Sequence, residues 1–478
     1  MPDSHRARYD ALPYRHGSIP ICAPARTGVI ARMLGVAAAP PDRCRVLEIG
    51  CAEGMNLLPL AERFPESQFT GIDFSPVQIA SANRAREACG IENARLLCAD
   101  LRTFEPEPDS FDYVIAHGIY SWVEADVQDR LLAVCTRCLA PAGVAYISYN
   151  TQPGWASTEG LRKVLLSMID RNADLADQAE EARKILHAFG NVFADEEGAQ
   201  ATLMRESIAG MLGKPAALLM HDELAEVTSA CTFLDFTAHA ARRGLHYLAE
   251  AHYASMPFEH MKPAIREAVA GLATDFEKSQ QILDLVGTRC FRNSLLTRPP
   301  LPETRSQDPA FVRECVLNTT FRLENPQVNL QPGVPMRVVG RHDVKLSLDH
   351  PLDKAFLATL IGVAPHRIPF PAAFAEARRQ LERFQIKAEY SEEAISLLVQ
   401  KLFTLDQVDL QLAGSGAWLR DRIPPEPSAL MRWQSQNAYP IVNRWHETVE
   451  IQANEKRWLA GGPVRVEEKR MHAAGLMV

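Results

Sequence analysis

Arg45-Val46-Leu47-Glu48-Ile49-Gly50-Cys51-Ala52-Glu53-Gly54, followed after a helical stretch by Gly71-Ile72-Asp73-Phe74, is the stretch that decides the fold. It reads as a short apolar strand, a glycine turn, a helix and a second strand ending in an acid. Gly50 and Gly54 allow a tight turn and a close backbone approach to a ligand, where a side chain would clash. The helix from about residue 56 to 63 turns its N-terminal amides toward the same crevice. Asp73 closes the second strand, Gln68 to Ile72, and presents a carboxylate able to accept hydrogen bonds from both hydroxyls of a ribose. At this point a dinucleotide site is still open.

The spacing ExGxxxG departs from the GxGxxG that a pyrophosphate needs, so a nucleoside ligand without phosphates fits better. Leu96 to Leu101 reads as a third strand with Asp100 at its tip, placed to receive an adenine amino group. Phe111 to Ala116 reads as a fourth. In order and spacing these four strand ends resemble class I S-adenosylmethionine-dependent methyltransferases. The resemblance implies a Rossmann-like, seven-stranded α/β core and S-adenosylmethionine as cofactor. It implies cofactor contacts at Tyr14, Glu48, Gly50, Cys51, Gly54, Asp73, Phe74, Asp100, Leu101 and His117. The bland alternative is a doubly wound domain whose acids only cap helices.

Composition bounds the partners. A chain of 478 residues is long for one core, so two or three domains are expected. A net charge of -8 argues against a general nucleic-acid footprint. Ten cysteines lack framework spacing, and neither a signal peptide nor a long uncharged apolar run is read, which predicts a cytoplasmic protein with reduced thiols and no membrane insertion. Cys135-Thr136-Arg137-Cys138 is the only CxxC; without a second pair it reads as two buried helix thiols, and no metal is expected.

Along the chain, residues 1–41 read as an irregular arm over the crevice, with one helix near 27–34. Residues 42–155 alternate strands (45–49, 68–72, 94–98, 111–116, 144–149) with helices (54–63, 75–89, 126–138). Residues 156–224 read as a helical insertion, and 225–300 as a return to the sheet through strands at 245–251 and 290–296. After Arg298-Pro299-Pro300, residues 301–478 mix strands and helices in a winged-helix-like pattern, ordered to about residue 460 and fraying beyond it.

The fourth-strand exit, His117-Gly118-Ile119-Tyr120-Ser121-Trp122, and the fifth, Asn150-Thr151-Gln152-Pro153-Gly154-Trp155, narrow the resemblance. With Tyr9 to Tyr14, His221-Asp222-Glu223-Leu224, Gly244 to Glu250 and the tail around Trp433 and Asn443 to His446, they resemble bacterial methyltransferases carrying a methyltransferase regulatory domain, among them rickettsial-type protein lysine methyltransferases. The chain departs from that pattern after Tyr14, where Thr-His-Pro is missing, and the departure bears on the acceptor.

The resemblance implies N-methylation of lysine on a protein or peptide; a small molecule or ribosomal peptide methylated on O or N is the alternative, and a non-enzymatic cofactor-binding regulator is a third reading. A homodimer through the accessory regions is expected. Transfer from a sulfonium needs alignment and exclusion of water rather than a covalent intermediate. Tyr9, Tyr14, Tyr120, Trp122 and Trp155 are expected around the acceptor channel, where aromatic walls disfavour the ammonium form. His117 is either the general base or an orienting group. Asn150 contacts the acceptor or braces the turn before Pro153. Tyr120 and Trp122 complete the expected catalytic set, while His221, His246 and His252 are expected to be structural.

Overall fold

The computed structural model describes residues 2–12, 16–300, 308–389, 391–414, 427–461, 466, 470–471 and 474–476, with side chains from residue 6 onward. Its centre is a seven-stranded sheet: β1 (Arg45–Ile49), β2 (Gln68–Asp73), β3 (Ala94–Cys98), β4 (Phe111–Ala116), β5 (Leu139–Asn150), β6 (His246–Glu250) and β7 (Phe291–Thr297). The order is β3-β2-β1-β4-β5-β7-β6, with β7 antiparallel to both its neighbours. The order of strand addition reverses between β1 and β4, which run parallel, so the carboxyl ends of β2, β1, β4 and β5 surround one crevice, as expected at a topological switch point.

Local sequence explains the elements. Val46, Leu47 and Ile49 are buried on both faces of β1, as a central parallel strand requires. The helix Pro76–Ala88 starts on Ser75, whose hydroxyl accepts from Gln78 N at 3.2 Å, with proline at the first helical position. β5 runs longer than the strand expected at 144–149, starting already at Leu139. The expected strands at 245–251 and 290–296 are β6 and β7.

Between β5 and β6 stand the inserted helices Trp155–Met168, Leu175–Val192 and Ala199–Leu212, packed around Leu165, Leu186 and Leu219. Past residue 308, helices Pro351–Val363, Phe370–Arg383 and Glu392–Thr404 surround a sheet of Ile368–Pro369, Cys315–Thr319 and Val408–Leu412; a second sheet joins Arg322–Leu323, Met336–Val339 and Lys345–Leu348. This region shares one apolar core with the Rossmann-like sheet. The helix Pro24–Met33 lies between them, and a Cβ at Gly28 would sit 2.6 Å from the Tyr113 hydroxyl and 2.7 Å from Leu412.

One expectation changes: the arm is not wholly irregular, because Pro2–Ala11 is helical. Most of the tail past residue 461, where fraying is expected, lies outside the described residues; of those described, Met471 and Leu476 are buried against Met431, Ile441 and Leu459, and Arg470 pairs with Glu455 at 2.5 Å. Cys135 and Cys138 are free and buried. Among the described residues, no helix is long and apolar enough to cross a membrane.

Candidate functional site

A cavity of about 590 Å³ opens along the carboxyl edge of the sheet. Glu48 and Gly50 from the end of β1, Asp73 and Phe74 from β2, Asp100 and Leu101 after β3, His117 after β4 and Asn150 at the tip of β5 all line it. The sequence placed these eight residues at strand ends, and the sheet brings them together.

Gly50 adopts φ +75° and donates its amide to Ile72 O at 2.8 Å, so the turn after β1 is pinned to β2. A Cβ at Gly50 would lie 2.2 Å from the Ile119 side chain. Asp73 receives the Ala52 amide on Oδ2 and the Ser75 amide on Oδ1, both at 2.9 Å, which fixes its carboxylate at the cavity wall with lone pairs to spare. Glu48 is buried; Oε1 accepts from Asn56 Nδ2 at 2.8 Å, while Oε2 has no partner. Burial pushes its carboxyl up to about 8. Asp100 is held by the amide of Arg102 at 2.8 Å.

His117 is packed against Tyr146 and Phe291, and Nδ1 lies 2.8 Å from the Tyr146 hydroxyl. That hydroxyl donates to Asn293 Oδ1 at 2.6 Å, so Nδ1 must donate to it and Nε2 keeps a lone pair. Burial pushes His117 down to about 4. Asn150 is fully buried, yet neither Oδ1 nor Nδ2 of its amide has a hydrogen-bond partner, and the same holds for Trp155 Nε1. Trp122, Phe291 and Cys290 complete this end of the cavity.

Other expected residues sit elsewhere. Cys51 lies beneath the lining: a Cβ at Gly71 would come within 2.7 Å of its sulfur. Gly54, at φ +74°, packs on Leu58 and Ala82 and shapes the turn. The helix Leu57–Arg63 starts after Asn56 and leaves the crevice floor to residues 50 and 52. Tyr120 is turned into the core, stacked edge-on against Phe236 with its hydroxyl 2.9 Å from His239 Nδ1, so it is not among the lining residues. Trp122, two positions on, does line the cavity and donates Nε1 to Asp222 O at 3.0 Å. Tyr14 lies outside the described residues.

Tyr9, expected at the channel, does line the cavity, because the helix Pro2–Ala11 docks over it: the ring stacks on His221 at 4.3 Å and meets Phe74 edge-on at 5.7 Å. His221 is thus a support for the cavity's cover, and its Nε2 donates to Leu12 O at 2.7 Å. His16, Gly17, Ser18 and Ile19 of the arm close another side. Lys214, Asp222 and Glu223 come from the segment after the inserted helices, with Lys214 paired to Glu223. Only tertiary packing brings these to the cavity.

The residues present fit S-adenosylmethionine. Acids stand at the β3, β2 and β1 positions in that order, and the orphaned Oε2 of Glu48 suits a cationic amino-acid end. Fold and site together define a class I methyltransferase. Residues 46–143 match the family model described as a methyltransferase domain, and residues 215–298 match that described as a predicted methyltransferase regulatory domain, so the chain contains a methyltransferase domain and that regulatory domain. It is similar to the uncharacterized protein RP789 of Rickettsia prowazekii, with 29% identity over 410 residues, 82% of this chain and 72% of that protein. PKMT2 from Rickettsia typhi in complex with AdoHcy has the same fold, with a TM-score of 0.79 and 23% identity over 93% of this chain and 88% of that one. The trans-aconitate 2-methyltransferase of Variovorax paradoxus is similar over 107 residues alone, at 31% identity, 22% of this chain and 39% of that protein.

Proposed function

We propose that this protein is an S-adenosylmethionine-dependent N-methyltransferase acting on lysine side chains of a protein or peptide. The observation that carries this reading is the Asn150 amide, fully buried, unpartnered at both polar atoms and lining an aromatic-walled cavity. A buried amide in that state costs stability until a ligand supplies its partners. An amine entering beside it offers an N–H to Oδ1.

S-adenosylmethionine, when bound, supplies a methyl group on a positively charged sulfur, open to in-line displacement by a lone pair. The chain does the rest. Asp100 and Leu101 hold the adenine, Asp73 the ribose hydroxyls, and Glu48 and Gly50 the amino-acid end, with Phe74 above. Cys51 and Gly54 shape the turn from behind. Trp122, Trp155 and Phe291 exclude water and favour a neutral amine over an ammonium. Tyr9 covers the entrance, while Tyr120 packs into the core against Phe236.

His117 orients and does not act as the general base. A ring pushed down to about 4 cannot take the proton of an ammonium that titrates at about 10.4. With Nδ1–H committed to Tyr146, its Nε2 is an acceptor for the amine or the cofactor.

Charge favours a cationic acceptor. Asp73, Asp100, Glu124, Asp222 and Glu223 line the cavity against Arg102 and Lys214, a field that draws cations and repels a polycarboxylate. The match to PKMT2, whose structure is described in complex with AdoHcy, supports the same donor here. The likeness to trans-aconitate 2-methyltransferase stops within the core, so it does not favour a small acceptor. A cytoplasmic site of action, where ten thiols stay reduced, belongs to this reading, as does a homodimer through the accessory regions, checked by light scattering of the full chain.

The test is incubation with methyl-labelled S-adenosylmethionine and bacterial lysate. Base-stable label in protein, mapped to lysine by mass spectrometry, is expected. Base-labile label, or label in the small-molecule fraction, overturns the lysine assignment.

A further inference from the structure

Asn56 stands at the N-cap of the helix Leu57–Arg63, a position where asparagine ordinarily accepts from the helix's own amides, yet its side chain makes no such bond. It is turned instead into a buried junction of three chain segments. Oδ1 accepts from the Ile19 amide at 2.8 Å and from His446 Nε2 at 2.9 Å; Nδ2 donates to Glu48 Oε1 at 2.8 Å and to Cys22 Sγ at 3.4 Å. The amide is therefore saturated, and its orientation is dictated: two donors face the oxygen, and a flipped amide would set N–H against N–H.

The partners come from separate places. Ile19 and Cys22 belong to the arm that closes one side of the cavity, Glu48 is in its floor, and His446 is carried by the hairpin formed by Ile441–Val442 and Thr448–Val449. His446 holds φ +62° and is buried; burial pushes it down to about 3, so the ring stays neutral and Nε2–H donates. The same segment grips the glycine turn through Tyr439, whose hydroxyl donates to Glu53 Oε1 at 2.6 Å, and the helix after it through the Leu430 amide, which donates to Glu62 at 2.9 Å. A region remote in sequence thus fixes the group that fixes Glu48.

We propose that Asn56 and His446 are positioning residues for Glu48, so that the segment beyond residue 427 is a working part of the cofactor site and not a substrate-docking appendage. The inference rests on reading the cavity as the S-adenosylmethionine site. Because Glu48 stands on the β1 side of Asp73 and away from Asp100, it faces the amino-acid end of the ligand, and losing its alignment weakens ligands that have that end and no others.

Calorimetric titration of the full chain with S-adenosylhomocysteine and with 5′-methylthioadenosine, which lacks the amino-acid end, tests this. His446→Leu removes the donor; Asn56→Asp keeps the acceptor for Ile19 and His446 but turns an oxygen toward Glu48. Each is expected to weaken S-adenosylhomocysteine roughly tenfold and to leave methylthioadenosine within about threefold, as loss of one buried hydrogen bond predicts. His446→Gln, whose amide nitrogen reaches as far as the imidazole Nε2, is expected to restore binding. Equal weakening of both ligands, or equal loss in His446→Leu and His446→Gln, overturns the proposal by reducing the contact to packing. Should His446→Leu not fold, Asn56→Asp carries the test alone. Asp73→Ala, run alongside, separates the failures: if it abolishes both ligands while the other variants bind normally, only the positioning role falls; if it changes nothing, the cofactor reading falls with it.

Discussion

Asn150 and Glu48 carry opposite demands at the two ends of one cavity. Asn150 waits for hydrogen-bond partners, so Asn150→Leu, which needs none, is expected to leave S-adenosylhomocysteine affinity unchanged and to lower kcat/KM by about tenfold or more. Equal loss in cofactor binding would move Asn150 into the cofactor site. Glu48 waits for a positive charge. Its folded carboxyl, raised by burial from 4.5 to about 8, is protonated at neutral pH in the free protein, and a cationic ligand end opposite it displaces that proton. Affinity for S-adenosylhomocysteine is therefore expected to rise from pH 6 to 8 with proton release, seen as a dependence of the binding heat on buffer ionisation enthalpy; no buffer dependence would contradict this. The sign for stability is the reverse. A carboxyl raised in the fold contributes fully below pH 4.5, and that contribution is lost as pH rises through about 8, so the free protein loses stability across the window in which it gains affinity. Glu48, Asp73 and Asp100 were legible because each ends a strand and the alternation of strand and helix is written locally. Asn56 and His446 were not, because their pairing spans 390 residues and neither has a pattern of its own.

At the scale of elements, the helix Pro2–Ala11 acts as a cover. Tyr9 stacks on His221 and meets Phe74 edge-on, and Asp10 accepts from the Ser75 hydroxyl at 2.5 Å, so the helix is tied to the loop that follows β2. Removing residues 1–12 is expected to weaken S-adenosylhomocysteine roughly tenfold, through a faster dissociation rate measured by stopped flow, because two aromatic contacts and a seal against water are lost together. An unchanged dissociation rate would show the cover to be ornamental to binding. The turn Tyr120–Trp122 shows why an element can mislead: with about 3.0 residues per turn, positions two apart diverge by about 120°, so Trp122 enters the cavity while Tyr120 enters the core. Sequence spacing alone had put both in the channel. β7 carries a different constraint. Arg292, buried in the sheet, donates to Glu250 at 2.7 Å and to both oxygens of Asp284 at 2.8 Å, and its guanidinium lies 4.1 Å from the Phe233 ring centroid. Glu250 also receives the Asn293 amide at 2.9 Å, so the network backs the Asn293–Tyr146–His117 chain. Asp284→Ala removes one of the two carboxylates that hold a buried cation and is expected to cost about 3 kcal/mol in urea unfolding.

The whole molecule resists division where its composition invites it. The Pro299-Pro300 stretch reads as a linker, yet the helix Pro24–Met33 packs on Val408–Leu412, and the apolar core runs without a break from β1 to the far helices. Charges cross the same boundary. Arg26 pairs with Asp409 at 2.5 Å, and Arg367, with a side chain only 2% exposed, donates to Asp409 at 2.7 Å and to Glu447 at 3.1 Å while lying over Trp445. Arg26, half-buried, and Arg367, buried, share these carboxylates, so parting the two regions breaks a joint ion-pair cluster. A chain ended at residue 300 would keep Arg26 and the apolar face of its helix, and lose Asp409, Leu410 and Leu412. Such a fragment is expected to be insoluble or to unfold without a cooperative transition, whereas the full chain unfolds in one transition with near- and far-ultraviolet circular dichroism coincident. A stable, cooperatively folding fragment 1–300 that binds S-adenosylhomocysteine as tightly as the full chain would show the two halves to be independent. The interlocked charges and the His446–Asn56–Glu48 chain argue for the first outcome, because in this molecule the cofactor crevice is assembled from both ends of the sequence.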